Sequence, residues 1–216
     1  MELIKITTVY LIRHSAPFVE IDNYENYENV LWSDFNRNMI LSSEGETNAK
    51  KLCSLKELEN IDEIYASDSV RAIGTAKYLA EINKLKIKLD DRINERESGI
   101  KYIKDLPKEF NKISFDDKNY KMENGESLND VDKRFNSFID DLLNKNIDKA
   151  VVVMHGIILL SYLNTVCKEF EYDGKKFHIK YDDKIILDGN LTNPSIYKIE
   201  FDNNRNVVNV SNIECH

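Results

Sequence analysis

Residues 9–15 read Val-Tyr-Leu-Ile-Arg-His-Ser, and this stretch guides the interpretation of the whole chain. Four apolar residues in a row predict a buried strand, which ends abruptly at Arg13 and His14. In an α/β sheet, ligands bind at the carboxyl ends of the strands. An arginine and a histidine at that edge place a permanent cation beside a potential nucleophile or base. The stretch therefore indicates a functional site, although a strand that merely stops at two polar residues would look the same.

The same pattern occurs a second time. Residues 150–154, Ala-Val-Val-Val-Met, predict the most apolar strand of the chain, and His155 and Gly156 follow directly before an apolar helix. One histidine at a strand end is often structural. The chain has only four histidines, so two of them at strand ends favour a functional role for both.

Arg71 is a third candidate. A short strand at 61–66 is followed by the capping cluster Ser67-Asp68-Ser69 and by a helix predicted over about 70–82. Arg71 lies in the first turn of that helix, where a positive charge opposes the helix dipole. A phosphate bound at the helix N-terminus would remove the conflict. The alternative is a solvated arginine on the surface.

Other segments predict an α/β sandwich, because strands alternate with helices along one domain covering residues 1–216. A helix is predicted from Ser42 or Ser43 to about Leu58, and another after the cap Ser127 with Asp130 three residues later. A further strand is expected at 85–89, a strand pair or meander at 177–187, and closing strands at 195–201 and 207–210. The segment 18–39 has no clear period and is interpreted as an irregular, packed loop; its aromatic residues are Tyr24, Tyr27, Trp32 and Phe35.

Composition limits the partners. The 216 residues carry a formal net charge of -8 and show no basic stripe, which argues against nucleic acid. The chain shows no signal-peptide pattern and no apolar run near the roughly 18 residues of a membrane span. The three cysteines are widely spaced and odd in number, which suggests neither a disulfide framework nor a zinc site but reduced thiols in a cytoplasmic protein. A homodimer is compatible with the sequence, but no motif predicts the oligomeric state.

Several motifs, in order along nearly the whole chain, resemble the histidine phosphatase superfamily, the phosphoglycerate mutase-like group. Each motif alone is weak, whereas seven in order are highly specific. They are residues 11–14, resembling the opening Arg-His-Gly element; 41–49, a Leu-Thr-x-x-Gly-x-x-x-Ala helix start; 65–76, a Ser-Ser-x-x-x-Arg-Ala-x-x-Thr-Ala element; 93–96, which supplies the acid; 125–127 with Arg134, a Gly-Glu-Ser helix start; 152–156, the second His-Gly element; and 193–196, an Asn-x-Ser strand.

The resemblance implies a three-layer α/β/α sandwich with a mostly parallel central sheet. It implies that His14 attacks phosphorus and forms a phosphohistidine, while its other ring nitrogen donates to a backbone carbonyl. Arg13, Arg71 and His155 would bind the phosphate, with His155 a better donor if protonated. Glu95 would protonate the leaving oxygen and then activate water. No metal or cofactor is expected, and the partner would be a small phosphorylated molecule.

The sequence also departs from the family pattern. Ser15 stands where glycine is usual, so the turn after the nucleophile is expected to differ. Glu20 stands six residues after His14, where many relatives have an asparagine that donates to phosphate. The usual Trp-Glu-Gly after the acid is absent, which leaves Glu97 as an alternative to Glu95.

Phosphomonoester hydrolysis is the favoured function. A phosphoglycerate mutase is the first alternative, but Arg96, Lys101 and Lys104 are the only nearby basic residues for a substrate carboxylate. A non-catalytic phospholigand-binding protein is the second, motivated by Ser15 and Glu20. A purely structural role for both histidines is the least favoured alternative. Residues 18–39 and 100–124 are expected to form the pocket walls, where the aromatic residues could stack on a nucleoside-like group, although packing within the loop is favoured.

Overall fold

The computed structural model describes residues 5–18 and 30–214. Within this part of the chain, six strands form a central sheet in the order β3-β2-β4-β1-β8-β9. The first four are parallel to one another, and the last two are antiparallel additions beside β1. The sheet strands are β1 (Thr7–Arg13), β2 (Glu63–Ala66), β3 (Ile87–Leu89), β4 (Lys149–Met154), β8 (Ser195–Phe201) and β9 (Val207–Ile213).

Both faces of the sheet are covered by helices. Along β1, Val9 and Leu11 face one hydrophobic cluster, while Tyr10 and Ile12 face the other, as the two-residue period of a strand requires. The first cluster packs against helices α5 (Leu128–Leu143) and α6 (Gly156–Val166). The second packs against α3 (Val70–Asn83). The predicted three-layer sandwich with a mostly parallel sheet is therefore confirmed.

The remaining helices surround the strand ends. Helix α2 begins after Ser42, whose hydroxyl accepts from the Gly45 amide, and α5 begins after Ser127, which forms a reciprocal capping box with Asp130. The cap Ser127 is the predicted one, and Ser42 is one of the two candidates predicted for α2. The bounds of these remaining helices are α1 (Trp32–Asn38), α2 (Ser43–Lys51) and α4 (Phe110–Asp116).

Two predictions about these elements were wrong. The segment 18–39 is not irregular throughout, because its described end contains α1. This helix has no fully buried residue, so it carries no apolar period that a sequence pattern would reveal. Helix α2 ends at Lys51 rather than near Leu58, and two 3₁₀ turns follow, Leu52–Ser54 and Lys56–Leu58. The turns bury Leu52 and Leu58 in the same cluster, so apolar spacing persists after the helix ends.

The predicted strand pair belongs to a small separate sheet, β5-β6-β7, of three antiparallel strands. Its aromatic side chains pack on α4, with Phe115 against Phe170 and Phe177. The strands are β5 (Glu169–Tyr172), β6 (Phe177–Tyr181) and β7 (Lys184–Gly189).

The direction of the strands decides where the site lies. Strands β1, β2 and β4 are parallel, so their carboxyl ends meet at one edge of the sheet. Strand β8 runs the opposite way and begins at the same edge, where Arg13 pairs with both Met154 and Ser195. None of the helices in the described ranges is long and apolar enough to cross a membrane.

Candidate active site

The backbone holds His14 at the end of β1. Its amide donates to the Met154 carbonyl at 2.9 Å, and its carbonyl accepts from Asn193 Nδ2 at 3.0 Å. In the ring, Nδ1 lies 2.8 Å from the carbonyl of the following residue, Ser15. A carbonyl can only accept, so Nδ1 carries the proton and Nε2 keeps its lone pair. Arg71 Nε donates to that lone pair at 3.0 Å.

The environment of His14 favours the neutral ring. Burial, followed by the charge of Arg71, lowers its pKa to about 3. Imidazole is nucleophilic only when neutral, so the ring is in the reactive form at neutral pH. The Nδ1 contact also matches the hydrogen bond to a backbone carbonyl that the family resemblance implies.

His155 lies beside His14, just before α6, with the two ring centroids 5.2 Å apart. Arg71 Nη2 approaches His155 Nδ1 at 2.9 Å, and Ser67 Oγ lies 2.6 Å from Nε2. Because arginine only donates, Nδ1 accepts and Nε2 donates to Ser67. Burial, followed by the charge of Arg71, holds the pKa of His155 well below its ordinary value. The protein alone thus favours the neutral ring, whose single N–H is bonded to Ser67. Protonation would add a donor for phosphate, and a bound dianion would oppose the lowering of the pKa.

Arg71 is buried at the centre of the site and is not a surface residue. Besides both histidines, it contacts Asn36, donating to the backbone carbonyl and, at 2.7 Å, to Oδ1. Burial lowers the pKa of Arg71 to about 10. The negative charge of Glu95 opposes this lowering, and the positive charge of Arg13 adds to it. The guanidinium therefore remains charged at neutral pH. Asn36 was missed by sequence reasoning because it lies in α1, a helix without an apolar period.

Arg13 approaches the site from β1. Its Nη1 donates to the Leu191 carbonyl at 2.6 Å, whereas its buried Nε has no hydrogen-bond partner among the described residues. A Cβ atom placed on Gly156 would lie 3.3 Å from this Nε, so the absence of a side chain at position 156 leaves room for the guanidinium. Burial lowers the pKa of Arg13, opposed by Glu95.

Ser15 fits the turn after His14 without special backbone geometry. Among the described non-glycine residues, positive φ angles occur at Asn60, Lys84, Asp182 and Arg205, not at Ser15. Its amide donates to Thr75 Oγ1 at 2.9 Å and its hydroxyl to the Gly45 carbonyl at 2.8 Å. The serine thus ties β1 to α2 and α3. Glu20, Tyr24 and Tyr27 lie outside the described residues.

Two carboxylates lie near His155. Glu95 accepts from the Ile157 amide at 3.3 Å and, through its other oxygen, from the Arg96 amide at 3.0 Å. It therefore sits at the N-terminus of α6, where the helix dipole favours negative charge. Glu97 lines the same small cavity as Glu95 and His155. Its pKa is raised by burial and then by the charge of Glu126.

A group of hydrogen bonds holds the loop that carries both carboxylates. Arg134 donates to both oxygens of Glu126 and, at 2.6 Å, to the Arg92 carbonyl. Arg96 is buried and donates to Ser114 Oγ, to the Tyr120 carbonyl and to the Glu126 carbonyl. Its guanidinium also lies over the Phe110 ring, 4.3 Å from the centroid. Arg96 is thus committed to the loop and is not available to bind a substrate carboxylate.

The cavity beside the histidines has a volume of about 90 Å³. Its lining residues are all polar or charged: Ser33, Asn36, Arg37, Asp68, Ser69, Asn94, Glu95, Glu97 and His155. Trp32 and Phe35 do not line it and pack together, with ring centroids 6.1 Å apart. No group of three or more His, Cys, Asp or Glu side chains in the described ranges could hold a metal ion.

The structure thus brings together all five residues singled out from the sequence. His14, Arg71 and His155 are in direct contact, Arg13 lies against Gly156 beside them, and Glu95 reaches the next amide of α6. A neutral nucleophile, two guanidinium groups and a carboxylate at one strand edge can do phosphoryl-transfer chemistry, which depends mainly on positioning and charge. Asn193, which binds the His14 carbonyl, lies within the Asn-x-Ser element, but its partner could not be read from that motif.

Known proteins resemble this chain in sequence and in fold. The phosphoserine phosphatase 1 of Hydrogenobacter thermophilus is 26% identical over 213 residues, which cover 95% of this chain and 92% of that protein. A mycobacterial glucosyl-3-phosphoglycerate phosphatase has a similar structure, with a TM-score of 0.66, 19% identity and 91% of each chain covered. So has a phosphoglycerate mutase from Bacillus anthracis, with a TM-score of 0.65, 21% identity, and 97% of this chain and 93% of that one covered. The model of the histidine phosphatase superfamily (branch 1) matches residues 9–214, and the chain belongs to that superfamily.

Proposed function

We propose that this protein hydrolyses phosphomonoesters through a phosphohistidine formed on His14. The observation that carries the proposal is the state of its ring. The Nδ1–H of His14 donates to the Ser15 carbonyl, and the pKa of the ring is about 3. The lone pair of Nε2 faces Arg71, whose guanidinium is well suited to bind a phosphate.

In the first step, His14 Nε2 forms a bond to phosphorus as the bond between phosphorus and the ester oxygen breaks. Glu95, in its protonated form, gives its proton to the departing oxygen, so the alcohol leaves neutral. In the second step, the Glu95 carboxylate takes a proton from water as that water attacks phosphorus and the bond between phosphorus and His14 Nε2 breaks. Inorganic phosphate leaves, and His14 and Glu95 return to their starting states.

Arg13, Arg71 and His155 are proposed to bind the phosphoryl oxygens. The Nε of Arg13, which has no partner in the described part of the chain, and the terminal nitrogens of Arg71 supply charged donors. Charge-assisted hydrogen bonds are stronger than neutral ones. Arg71 can bind a phosphate only by exchanging its hydrogen bonds to Asn36 and to the two histidines for hydrogen bonds to the phosphate oxygens. These residues provide the charge neutralisation that the reaction needs, so we propose that no metal takes part.

Hydrolysis is favoured over a mutase reaction by the position of Arg96. A mutase must hold the carboxylate of its substrate, and the first basic residue after the acid is buried and bonded to the protein itself. The relative from Hydrogenobacter thermophilus and the mycobacterial neighbour are both named as phosphatases. A small phosphorylated metabolite is therefore the proposed substrate.

The test is hydrolysis of para-nitrophenyl phosphate between pH 5 and 8 with a chelator present. We expect turnover by the wild type, loss of turnover in His14→Ala, and unchanged turnover in the control His178→Ala, which removes an exposed histidine on β6. An acid-labile phosphoenzyme should form in the wild type and in His178→Ala but not in His14→Ala. Equal turnover in His14→Ala and wild type contradicts the proposal. A folded wild type that turns over no ester is instead a binding protein or a mutase, which a bisphosphorylated primer would reveal.

Glu95→Gln separates the acid from the nucleophile. The para-nitrophenolate group leaves without a proton, whereas an alkoxide needs one. We therefore expect this variant to lose much more activity on alkyl phosphates than on para-nitrophenyl phosphate. An equal loss of activity on alkyl phosphates and on para-nitrophenyl phosphate would show that Glu95 is not the proton donor and would favour Glu97.

A further inference from the structure

The residue that follows His14 is held by groups from three other segments of the chain. The Ser15 amide donates to Thr75 Oγ1 in α3 at 2.9 Å, and the Ser15 hydroxyl donates to the Gly45 carbonyl in α2 at 2.8 Å. The His14 carbonyl, in the same peptide group as the Ser15 amide, accepts from Asn193 Nδ2 at 3.0 Å. Ser15 and Thr75 are fully buried, so water does not compete for their hydrogen bonds.

The geometry leaves these hydrogen bonds little freedom. The Thr75 hydroxyl donates its proton to the Arg71 carbonyl at 2.8 Å, so it can only accept from Ser15. The Ser15 hydroxyl reaches Gly45 because α2 comes very close to the turn. A Cβ atom on Gly45 would lie 2.0 Å from the Ala16 carbonyl oxygen. Thr75 and Ser15 thus favour a single arrangement of the turn after β1.

The carbonyl of Ser15 accepts the ring proton of His14, with Nδ1 at 2.8 Å. Arg71 Nε also opposes a proton on Nε2, because it donates to that nitrogen. A phosphate that takes over the donors of Arg71, as in the proposed reaction, removes the second contact and leaves the first. The hydrogen bond of one ring nitrogen decides where the proton of a neutral imidazole resides. In the substrate complex, the position of the Ser15 carbonyl therefore decides how much of His14 is in the reactive tautomer.

We infer that Ser15 and Thr75 are positioning residues for His14: they hold the carbonyl that keeps the ring proton on Nδ1, and so leave Nε2 free to attack phosphorus. The inference rests on the proposed function. It also gives a role to the serine at a position where glycine is usual in the family, because its hydroxyl adds an anchor that glycine lacks. The φ angle of Ser15 is not positive, so glycine would relieve no strain here and would only add backbone freedom.

Thr75→Val tests the inference, since valine has the shape of threonine but cannot accept from the Ser15 amide. We expect phosphoenzyme formation in a single turnover of para-nitrophenyl phosphate to slow about tenfold, because both the tautomer and the position of Nε2 are affected. The inhibition constant of inorganic phosphate should stay near that of the wild type, because Arg13 and Arg71 are retained. Thr75→Ser keeps the hydroxyl and should recover most of the rate.

The nitrogen NMR spectrum of the His14 ring gives a readout that a merely structural role would not move. Its signals are identified by their loss in His14→Ala, and they show which nitrogen carries the proton. With saturating inorganic phosphate, we expect Nδ1 to be protonated in the wild type. In Thr75→Val, part of the population should carry the proton on Nε2 instead.

Ser161→Ala is the matched control. It removes another fully buried hydroxyl, which bonds Asp132 at 2.5 Å between α5 and α6. Its thermal midpoint should fall, because a buried polar group loses its partner. The single-turnover rate and the tautomer of His14 should stay as in the wild type.

Ser15→Gly restores the residue that is usual in the family and tests the serine hydroxyl separately. It removes only the hydrogen bond to the Gly45 carbonyl and leaves the amide of residue 15 with its partner Thr75, so it should fold even where Thr75→Val does not. We expect phosphoenzyme formation to slow about threefold, as the loss of one hydrogen bond between neutral groups predicts.

Two results overturn the inference and leave the proposed function intact. One is a Ser15→Gly enzyme that forms the phosphoenzyme as fast as the wild type or faster. The other is a folded Thr75→Val enzyme in which His14 keeps the tautomer of the wild type, since any loss of rate then has another cause. A wild type that forms no phosphoenzyme and hydrolyses no ester overturns the proposed function together with the inference.

Discussion

Arg71 donates to both oxygens of Asn36, the backbone carbonyl and Oδ1, through the nitrogens that would otherwise be directed at a phosphate. Asn36 thus satisfies the central guanidinium with two acceptors from α1. The helix is also tied to the loop after β2 by the ion pair of Arg37 with Asp68. Substrate and α1 therefore compete for the same donors.

Asn36→Ala removes one of these acceptors, so phosphate should bind more tightly. We expect the inhibition constant of inorganic phosphate to fall about fivefold, since a hydrogen bond to a charged group no longer has to be exchanged. Trp32, the only tryptophan, begins the same helix, and its fluorescence should report phosphate binding. Asn38→Ala, at the exposed end of α1, is the control. Weaker phosphate binding in Asn36→Ala would mean that Asn36 positions Arg71 for its ligand.

Gly156→Ala should reduce activity without reducing stability. The added methyl group would lie 3.3 Å from Arg13 Nε, and the guanidinium cannot withdraw freely because Nη1 is bonded to the Leu191 carbonyl. If Arg13 binds phosphate as proposed, displacing its guanidinium by a fraction of an ångström should lower kcat/KM about tenfold. Alanine is a better helix former than glycine, so the thermal midpoint should not fall.

The matched control is Gly74→Ala in α3. There the added methyl group also lies 3.3 Å from a neighbour, but that neighbour is the Leu41 side chain. We expect its kcat/KM to stay near that of the wild type. A Gly156→Ala enzyme with full activity would show that Arg13 need not occupy the position seen here.

Arg96→Met should destabilise the protein. The substitution removes three hydrogen bonds and leaves Ser114 Oγ and the carbonyls of Tyr120 and Glu126 without their donor. We expect the free energy of unfolding in urea to fall by about 2–4 kcal/mol, because buried acceptors that lose their partner incur a desolvation penalty. Lys175→Met, in an exposed turn, should leave it nearly unchanged. An Arg96→Met variant as stable as the wild type would contradict the structural role of Arg96 and favour a role in substrate binding.

His14 should make stability depend on pH. Its folded pKa, about 3, lies below the unfolded value near 6.5, so between these values the unfolded chain binds more protons. The contribution is fully present above about pH 6.5 and is lost as the pH falls towards 3. Its slope is at most about 1.4 kcal/mol per pH unit.

Urea unfolding at pH 7, 6 and 5 measures this dependence. The free energy of unfolding of the wild type should fall more steeply with decreasing pH than that of His14→Asn, which has no ring to protonate. Parallel curves for the two proteins would show that His14 is not held neutral by the fold.

Local patterns in the sequence predicted eight of the nine strands, all but β5, and the main helices. Together with the family resemblance, they also pointed to the five candidate site residues. Buried strands such as 9–12 and 150–154 are continuous apolar runs, and helix caps such as Ser127 with Asp130 are local patterns, so both are visible without a structure. The end of each run also marks the sheet edge where His14 and His155 meet.

The contacts of those residues depend on how distant segments pack together. Whether Arg71 was a surface cation or a buried one depended on Asn36, which lies 35 positions away in a helix with no apolar face. From the sequence, Arg96 is a candidate for binding substrate, but in the structure its guanidinium donates to Ser114, Tyr120 and Glu126. Propensity and period act over a few neighbouring residues, whereas these hydrogen bonds join distant segments, and packing alone brings their partners together.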